Sequence, residues 1–291
     1  MREVRQVYAK NPRHWVGDGF WVEPLFSHMG LDKNTNPFLM LDYAAPYEFQ
    51  PKTSGSKRGV GAHPHKGFET VTIAYQGEVA HRDSTGGGGV IKEGDVQWMT
   101  AGNGIIHEEF HSEEFAQSGG MFEMVQLWVN LPAKDKSTPA RYQHLAKKDI
   151  PVVPLADDAG HIRLIAGDYG DIEGAADTFT EMNVWDMVIK AGKQAQVTVP
   201  DTHTLSMVVL RGEVVFNDNQ VAKAGQLVGF HDGTGAVKLN VQGSDDAKVL
   251  LLSGVPIDEP VVGYGPFVMN TEDEIRAAID DFNSGRFGRI A

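Results

Sequence analysis

Two short segments carry the residue types that could do chemistry: Gly61-Ala-His63-Pro-His65-Lys-Gly-Phe-Glu69 and Thr100-Ala-Gly-Asn-Gly-Ile-Ile-His107-Glu108-Glu109. In an extended strand, side chains two apart share a face. His63 and His65 then point the same way, with Glu69 on their parity. His107 shares a face with Glu109, while Glu108 points to the other side. His111 keeps the parity of His107 but lies further along, nearer a rim. Pro64 lacks an N–H and suits the start or edge of a strand. Two such strands meeting inside a barrel converge three imidazoles and a carboxylate. That set suits a single divalent iron, nickel, manganese, copper or zinc ion and leaves positions open for water or substrate. A lone histidine is most often a surface or hydrogen-bonded core residue. It is the pairing of H-x-H with H-x-E, in a chain with no cysteine, that favours a metal.

These residues must be positioned by strands. Glycines fall between β-branched runs such as Glu69–Tyr75 and Leu205–Leu210, and Met121–Leu131 is a further strand candidate. Short strands with glycine-containing turns indicate an all-β sandwich or barrel. Asn103-Gly104 is a turn signal ahead of His107. An internal repeat is visible: Gly77-Glu78-Val79 is echoed 135 residues later by Gly212-Glu213-Val214, and Gly94 is echoed 131 residues later by Gly225. The difference falls in the hairpin between them, which in the first copy contains Gly86 to Gly89. A chain of 291 residues accommodates two domains. The proline-bearing stretch from Pro132 to Pro154 places their boundary, giving divisions 1–138 and 139–291. The C-terminus predicts a helix: Thr271 and Glu274 form a capping box, and Ile275, Ala278, Ile279 and Phe282 follow helical spacing up to Gly285.

Other chemistries are poorly served. Without cysteine there is no disulfide, thiolate metal site or cysteine nucleophile. A net charge of −13, with no basic cluster, disfavours nucleic-acid backbones. No apolar run suits a signal peptide or membrane span, so a cytoplasmic protein off the membrane is the expectation. Gly86 to Gly89 lacks the lysine and helix of a phosphate loop and reads as a flexible hairpin. Gly102-Asn-Gly104 lacks the third glycine of a dinucleotide site.

The motifs HPHKGFET, GGVIKEGDVQWMTAGNGIIHEE, VQLWVNLP and EPVVGYGPFVMNT closely resemble the pirin family of the cupin superfamily. The resemblance runs from about Trp15-Val-Gly-Asp-Gly-Phe20 to the C-terminal helix. It implies two tandem cupin barrels (double-stranded β-helix, or jelly roll) followed by the helix. One mononuclear metal, usually Fe(II), is then expected in the N-terminal barrel. Carried over, the ligands are His63, His65, His107 and Glu109. Glu69 is expected behind them, orienting a histidine. Phe68, Trp98, Phe122, Met124, Gln126 and Trp128 are candidates for the pocket wall. In the second barrel the repeat aligns Thr198, Pro200, Thr204, Lys238 and Asn240 with the ligand positions. None suits such a metal, and His203 stands alone, so that barrel is expected to be metal-free.

The family resemblance further implies a quercetin 2,3-dioxygenase activity, opening a flavonol ring with O2 and releasing carbon monoxide. Glu109 would then take the proton of the flavonol 3-hydroxyl. The alternative is a non-enzymatic, iron-dependent redox regulator that binds a protein partner. Its partner would carry a basic surface to match the abundant carboxylates. A monomer is expected in either case.

Overall fold

The runs singled out for β-branching do form strands. Glu69–Tyr75 lies within Phe68–Gln76, Leu205–Leu210 within Thr204–Arg211, and Met121 to Leu131 falls almost wholly within Gly120–Asn130. The computed structural model describes residues 1–30, 34–52, 55 and 57–290. Its strands form two cupin-type barrels, each made of a seven-stranded and a four-stranded antiparallel sheet. Among the described residues, no helix is long and apolar enough to cross a membrane.

In the barrel that carries the histidine motifs, the large sheet runs Arg141–Leu145, Val96–Thr100, Phe68–Gln76, Gly120–Asn130, Phe38–Phe49, Phe20–Ser27 and His14–Val16. The small sheet runs Gly59–His65, Ile105–His111, Val79–Asp83 and Gly88–Ile91. The other barrel repeats this plan. Gly77 and Gly212 occupy equivalent turns at φ +80° and +77°, in the left-handed region that glycine enters without strain. Gly94 and Gly225 donate equivalent turn bonds, to the carbonyls of Ala74 (2.8 Å) and Val209 (2.7 Å). The offset difference arises in the intervening hairpins. The first joins Val79–Asp83 to Gly88–Ile91, with Gly88 and Gly89 already inside the strand, and the second joins Glu213–Phe216 to Gln220–Lys223.

The chain divides differently from the contiguous 1–138 and 139–291 expected from the prolines. One compact unit is Met1–Asn11, Asp32–Pro37 and Lys148–Pro256; the other is Pro12–Leu31, Phe38–Lys147 and Ile257–Ala291. Ala291, the last residue of the expected division, lies outside the described residues. The cause is edge pairing and burial. Val4–Val7 pairs with Gln226–Phe230, so the N-terminus completes a sheet of the later barrel. Arg141–Leu145, assigned to the second domain by the prolines, pairs with Val96–Thr100 of the first barrel's large sheet. The C-terminal helix, Glu272–Asn283, buries Ile275 and Ala278 against Phe267, Met269 and Phe287, beside Ile106 of the histidine-bearing sheet. It therefore belongs with the first barrel. Thr271 and Glu274 make both bonds of the capping box. Phe282, on the expected apolar stripe, remains 37% exposed.

A second helix, Glu113–Ser118, capped by Ser112, was not expected. It is too short to show a period and buries only Phe115. In the other barrel, Trp185, Met187, Leu205, Met207 and Phe216 fill the interior. His203 is engaged by Ser253 and Glu181, each at 3.2 Å, and Lys238 pairs with Asp218 at 2.9 Å.

Candidate metal centre

Register explains how the two histidine segments meet. Ile105–His111 pairs antiparallel with Gly59–His65, setting His107 opposite His63 and Ile105 opposite His65. A bulge between His107 and Glu109 shifts Glu109 to face Val60. On its other edge the same strand sets Glu109 opposite His81 and His107 opposite Asp83.

The three expected imidazoles converge. Ring centroids lie 4.9 Å apart for His63 and His65, 4.2 Å for His63 and His107, and 4.8 Å for His65 and His107. One nitrogen from each falls within 4.8 Å of the others. Each Nδ1 is occupied: His63 on the Gly61 carbonyl at 2.8 Å, His65 on the Pro266 carbonyl at 3.4 Å, and His107 against His81 Nδ1 at 3.3 Å. That leaves Nε2 of each ring for a metal, and that of His107 is buried without a hydrogen-bond partner. An orphaned imidazole nitrogen in a ring packed against two other imidazoles is what a divalent metal would satisfy, so the residues fit one. Burial, reinforced by the neighbouring His63, holds His65 down to about 3. Burial and the surrounding histidines also hold His107 well below its usual range. Both are neutral, which is the ligating form.

Glu109 joins this set through His107. Its carboxylate groups with His107 and His81, so the four expected ligands fall into two groups that share His107. Glu109 is buried, and the Thr72 hydroxyl approaches it at 3.3 Å. That hydroxyl has one proton, and its contact with Gln126 Oε1 is shorter, at 2.8 Å. Glu109 is therefore lightly tethered. His81 is not available as a ligand: Nδ1 meets His107, and Nε2 meets Asp83 Oδ2 at 3.3 Å.

His63, His65 and Glu109 open onto a cavity of about 250 Å³, whose wall includes Met40, Asp42, Met124, Gln126 and Trp128. Of the six expected wall residues, Met124, Gln126 and Trp128 reach it. Phe68 stands against the Trp128 ring at 4.3 Å. Trp98 lies opposite Val71, on the other parity from Thr72. Phe122 joins Phe20, Phe49 and His111 in an aromatic group. His111 is thus not at an open rim. It is buried, bonded through Nε2 to the Gly19 carbonyl at 2.9 Å, and held down to about 4 chiefly by burial.

Glu108 points outward as parity requires, accepting from Arg82 Nε at 2.9 Å. Glu69 departs from expectation. The turn at Lys66 and Gly67 breaks the parity linking it to His65, and it alternates against Thr70 and Thr72, away from the cavity. It accepts from Thr100 Oγ1 at 2.7 Å and bonds to no histidine. Burial pushes Glu69 up to about 7, against the pull of Thr100 and Arg141. A raised carboxyl contributes stability that is full below the unfolded value of 4.5 and lost as pH climbs through 7. Between pH 4 and pH 8 the native protein should therefore lose about 2–3 kcal/mol relative to Glu69→Gln, whose side chain does not ionise. Paired urea midpoints at the two pH values check this; parallel pH dependence would refute it.

Sequence reasoning missed His81, Asp83, Thr72 and Asp42. Strand alternation could have found the first two, since Val79, His81 and Asp83 are buried between half-buried Ala80 and exposed Arg82. Asp42, Gln126 and Thr72 stand opposite one another on adjacent strands. Burial raises Asp42 to about 6.

Known proteins are similar to this chain over nearly its whole length. The family model described as Pirin matches residues 19–129, and the Pirin C-terminal cupin domain matches residues 184–288. A Pseudomonas aeruginosa protein provisionally named a quercetin 2,3-dioxygenase is 53% identical, over 99% of each chain. Pirin-1 of Arabidopsis thaliana is 39% identical, over 98% of this chain and 94% of its own. The crystal structure of a quercetin 2,3-dioxygenase from Acinetobacter baumannii is 54% identical, covers 100% of both chains and superposes with a TM-score of 0.95. This chain belongs to the pirin family of the cupin superfamily.

Proposed function

We propose that this protein is a mononuclear, iron(II)-dependent dioxygenase acting on flavonols of the quercetin type. The observation that carries the reading is the convergence of three imidazoles, with His63 and His65 at the wall of a largely apolar cavity and His107 beside them with an unpartnered buried Nε2. Relatives bearing quercetin 2,3-dioxygenase names, similar over the whole chain, support the substrate class.

In this reading His63, His65 and His107 hold the metal, and Glu109 completes the set from the adjoining position. The metal, when bound, supplies Lewis acidity toward a deprotonated hydroxyl and a route for electrons to O2. The chain supplies the rest. Trp128, Met40 and Met124 exclude water and lie against a flat aromatic ring. Glu109, lightly held by Thr72, takes the 3-hydroxyl proton on its carboxylate. Gln126 and Asp42 offer hydrogen-bonding partners for the remaining hydroxyls.

Protein loaded anaerobically with Fe(II) should bleach the long-wavelength absorbance of quercetin, with equimolar O2 uptake and carbon monoxide release. Metal analysis should find one ion per chain. Stoichiometric metal with no O2 uptake across a flavonol panel would overturn the assignment.

A further inference from the structure

We propose that Asp83 and His81 form a buried hydrogen-bond relay that sets the tautomer of His107, keeping its Nε2 lone pair aimed into the site. No sequence motif led to these two residues; they are placed by the structure. Asp83 Oδ1 accepts three donors: Thr85 N–H at 2.8 Å, Thr85 Oγ1 at 2.6 Å and Gly87 N–H at 3.1 Å. Oδ2 faces His81 Nε2 at 3.3 Å, and both side chains are fully shielded from solvent. A carboxylate so placed only accepts, so His81 carries its proton on Nε2. A neutral imidazole has one N–H, which leaves His81 Nδ1 as a lone pair. Its partner at 3.3 Å, His107 Nδ1, must then be the donor. With its proton on Nδ1, His107 presents Nε2 as a lone pair, the buried atom that has no partner. One carboxylate thus dictates a ligand across one intervening imidazole, a role usually filled by a group touching the ligand itself.

The arrangement makes a specific prediction for Asp83→Asn. The three donors hold the amide oxygen at the Oδ1 position, so the NH2 group must replace Oδ2 and donate to His81 Nε2. His81 then carries its proton on Nδ1 and donates to His107. His107 moves its own proton to Nε2, where it blocks metal binding. Replacing aspartate by asparagine beside a catalytic histidine acts through the wrong tautomer at preserved geometry in serine proteases.

The inference rests on His107 being a ligand, but its first readout needs no metal. Long-range 1H–15N spectra of metal-free, 15N-histidine-labelled protein should show unprotonated Nε2 on His107 and unprotonated Nδ1 on His81. In Asp83→Asn both should invert, and Ni(II) affinity by titration should fall about 10- to 100-fold. In His81→Gln the amide can donate to Asp83 and accept from His107, so most Ni(II) affinity should remain. A protonated His107 Nε2 or a doubly protonated His81 in the native chain would overturn the relay. So would wild-type tautomers and affinity in folded Asp83→Asn. If that variant fails to fold, the native spectrum and His81→Gln decide. A native chain that takes up no Ni(II) would sink the metal reading, while the spectra still judge the relay.

Discussion

His65→Ala, loaded with Fe(II) and dialysed beside the native protein, should retain almost no metal and turn over flavonol at background rate. Removing one of three imidazoles deletes a direct donor, so the loss should exceed the ~10–100-fold typical of second-layer partners. We expect at least about 10³-fold in turnover. His65 also packs on Phe68 at 5.1 Å and Trp128 at 5.3 Å, with its Nδ1 on the Pro266 carbonyl. Truncation should leave a cavity costing about 2–3 kcal/mol. Comparing melting of the metal-free forms separates that packing loss from ligand loss, because packing alone would not empty the site. A variant that keeps both its iron and its rate would show that catalysis occurs elsewhere.

Glu109→Gln should behave differently. Three imidazoles remain, so most metal should be retained, whereas the carboxylate beside the imidazoles that takes the substrate proton is gone; Asp42 lines the cavity but is not grouped with them. General-base removal costs about 10²–10⁴-fold in kcat. KM should change little, because Met124, Gln126 and Trp128 still shape the cavity. Steady-state kinetics with metal content measured on the same sample test this split. If Glu109→Gln loses iron as completely as His65→Ala, the carboxylate is an essential ligand and its role as base falls.

Much of this centre was legible in the sequence because strand parity is local. It correctly put His63 with His65 and turned Glu108 outward. Where parity crossed a turn, it failed. Glu69 lies beyond the bend at Gly67, and its apparent kinship with His65 disappears there. Alternation marks His81 and Asp83 as inward-facing, but their role depends on which strand neighbours Ile105–His111, a non-local fact that no spacing encodes. The domain division failed similarly. Prolines mark where chain leaves a sheet, but they do not say which terminal segment returns to cover an exposed edge. The repeat fared better: turn glycines at matching φ and two equivalent backbone bonds underlie tripeptides that look unremarkable as text.

The return of residues beyond Ile257 to the first barrel has a consequence for biogenesis. Lys136, buried and held down to about 8 by desolvation, clasps the carbonyls of Gly67 and Val268 at 2.7 and 3.1 Å. Pro266 bonds His65 across 201 positions of chain. A nascent polypeptide therefore emerges from the ribosome with all its histidine donors made but their scaffold unfinished. Only after the final hairpin has cleared the exit tunnel can the pocket set, and a chain that stops before Pro266 lacks the carbonyl that holds His65 Nδ1.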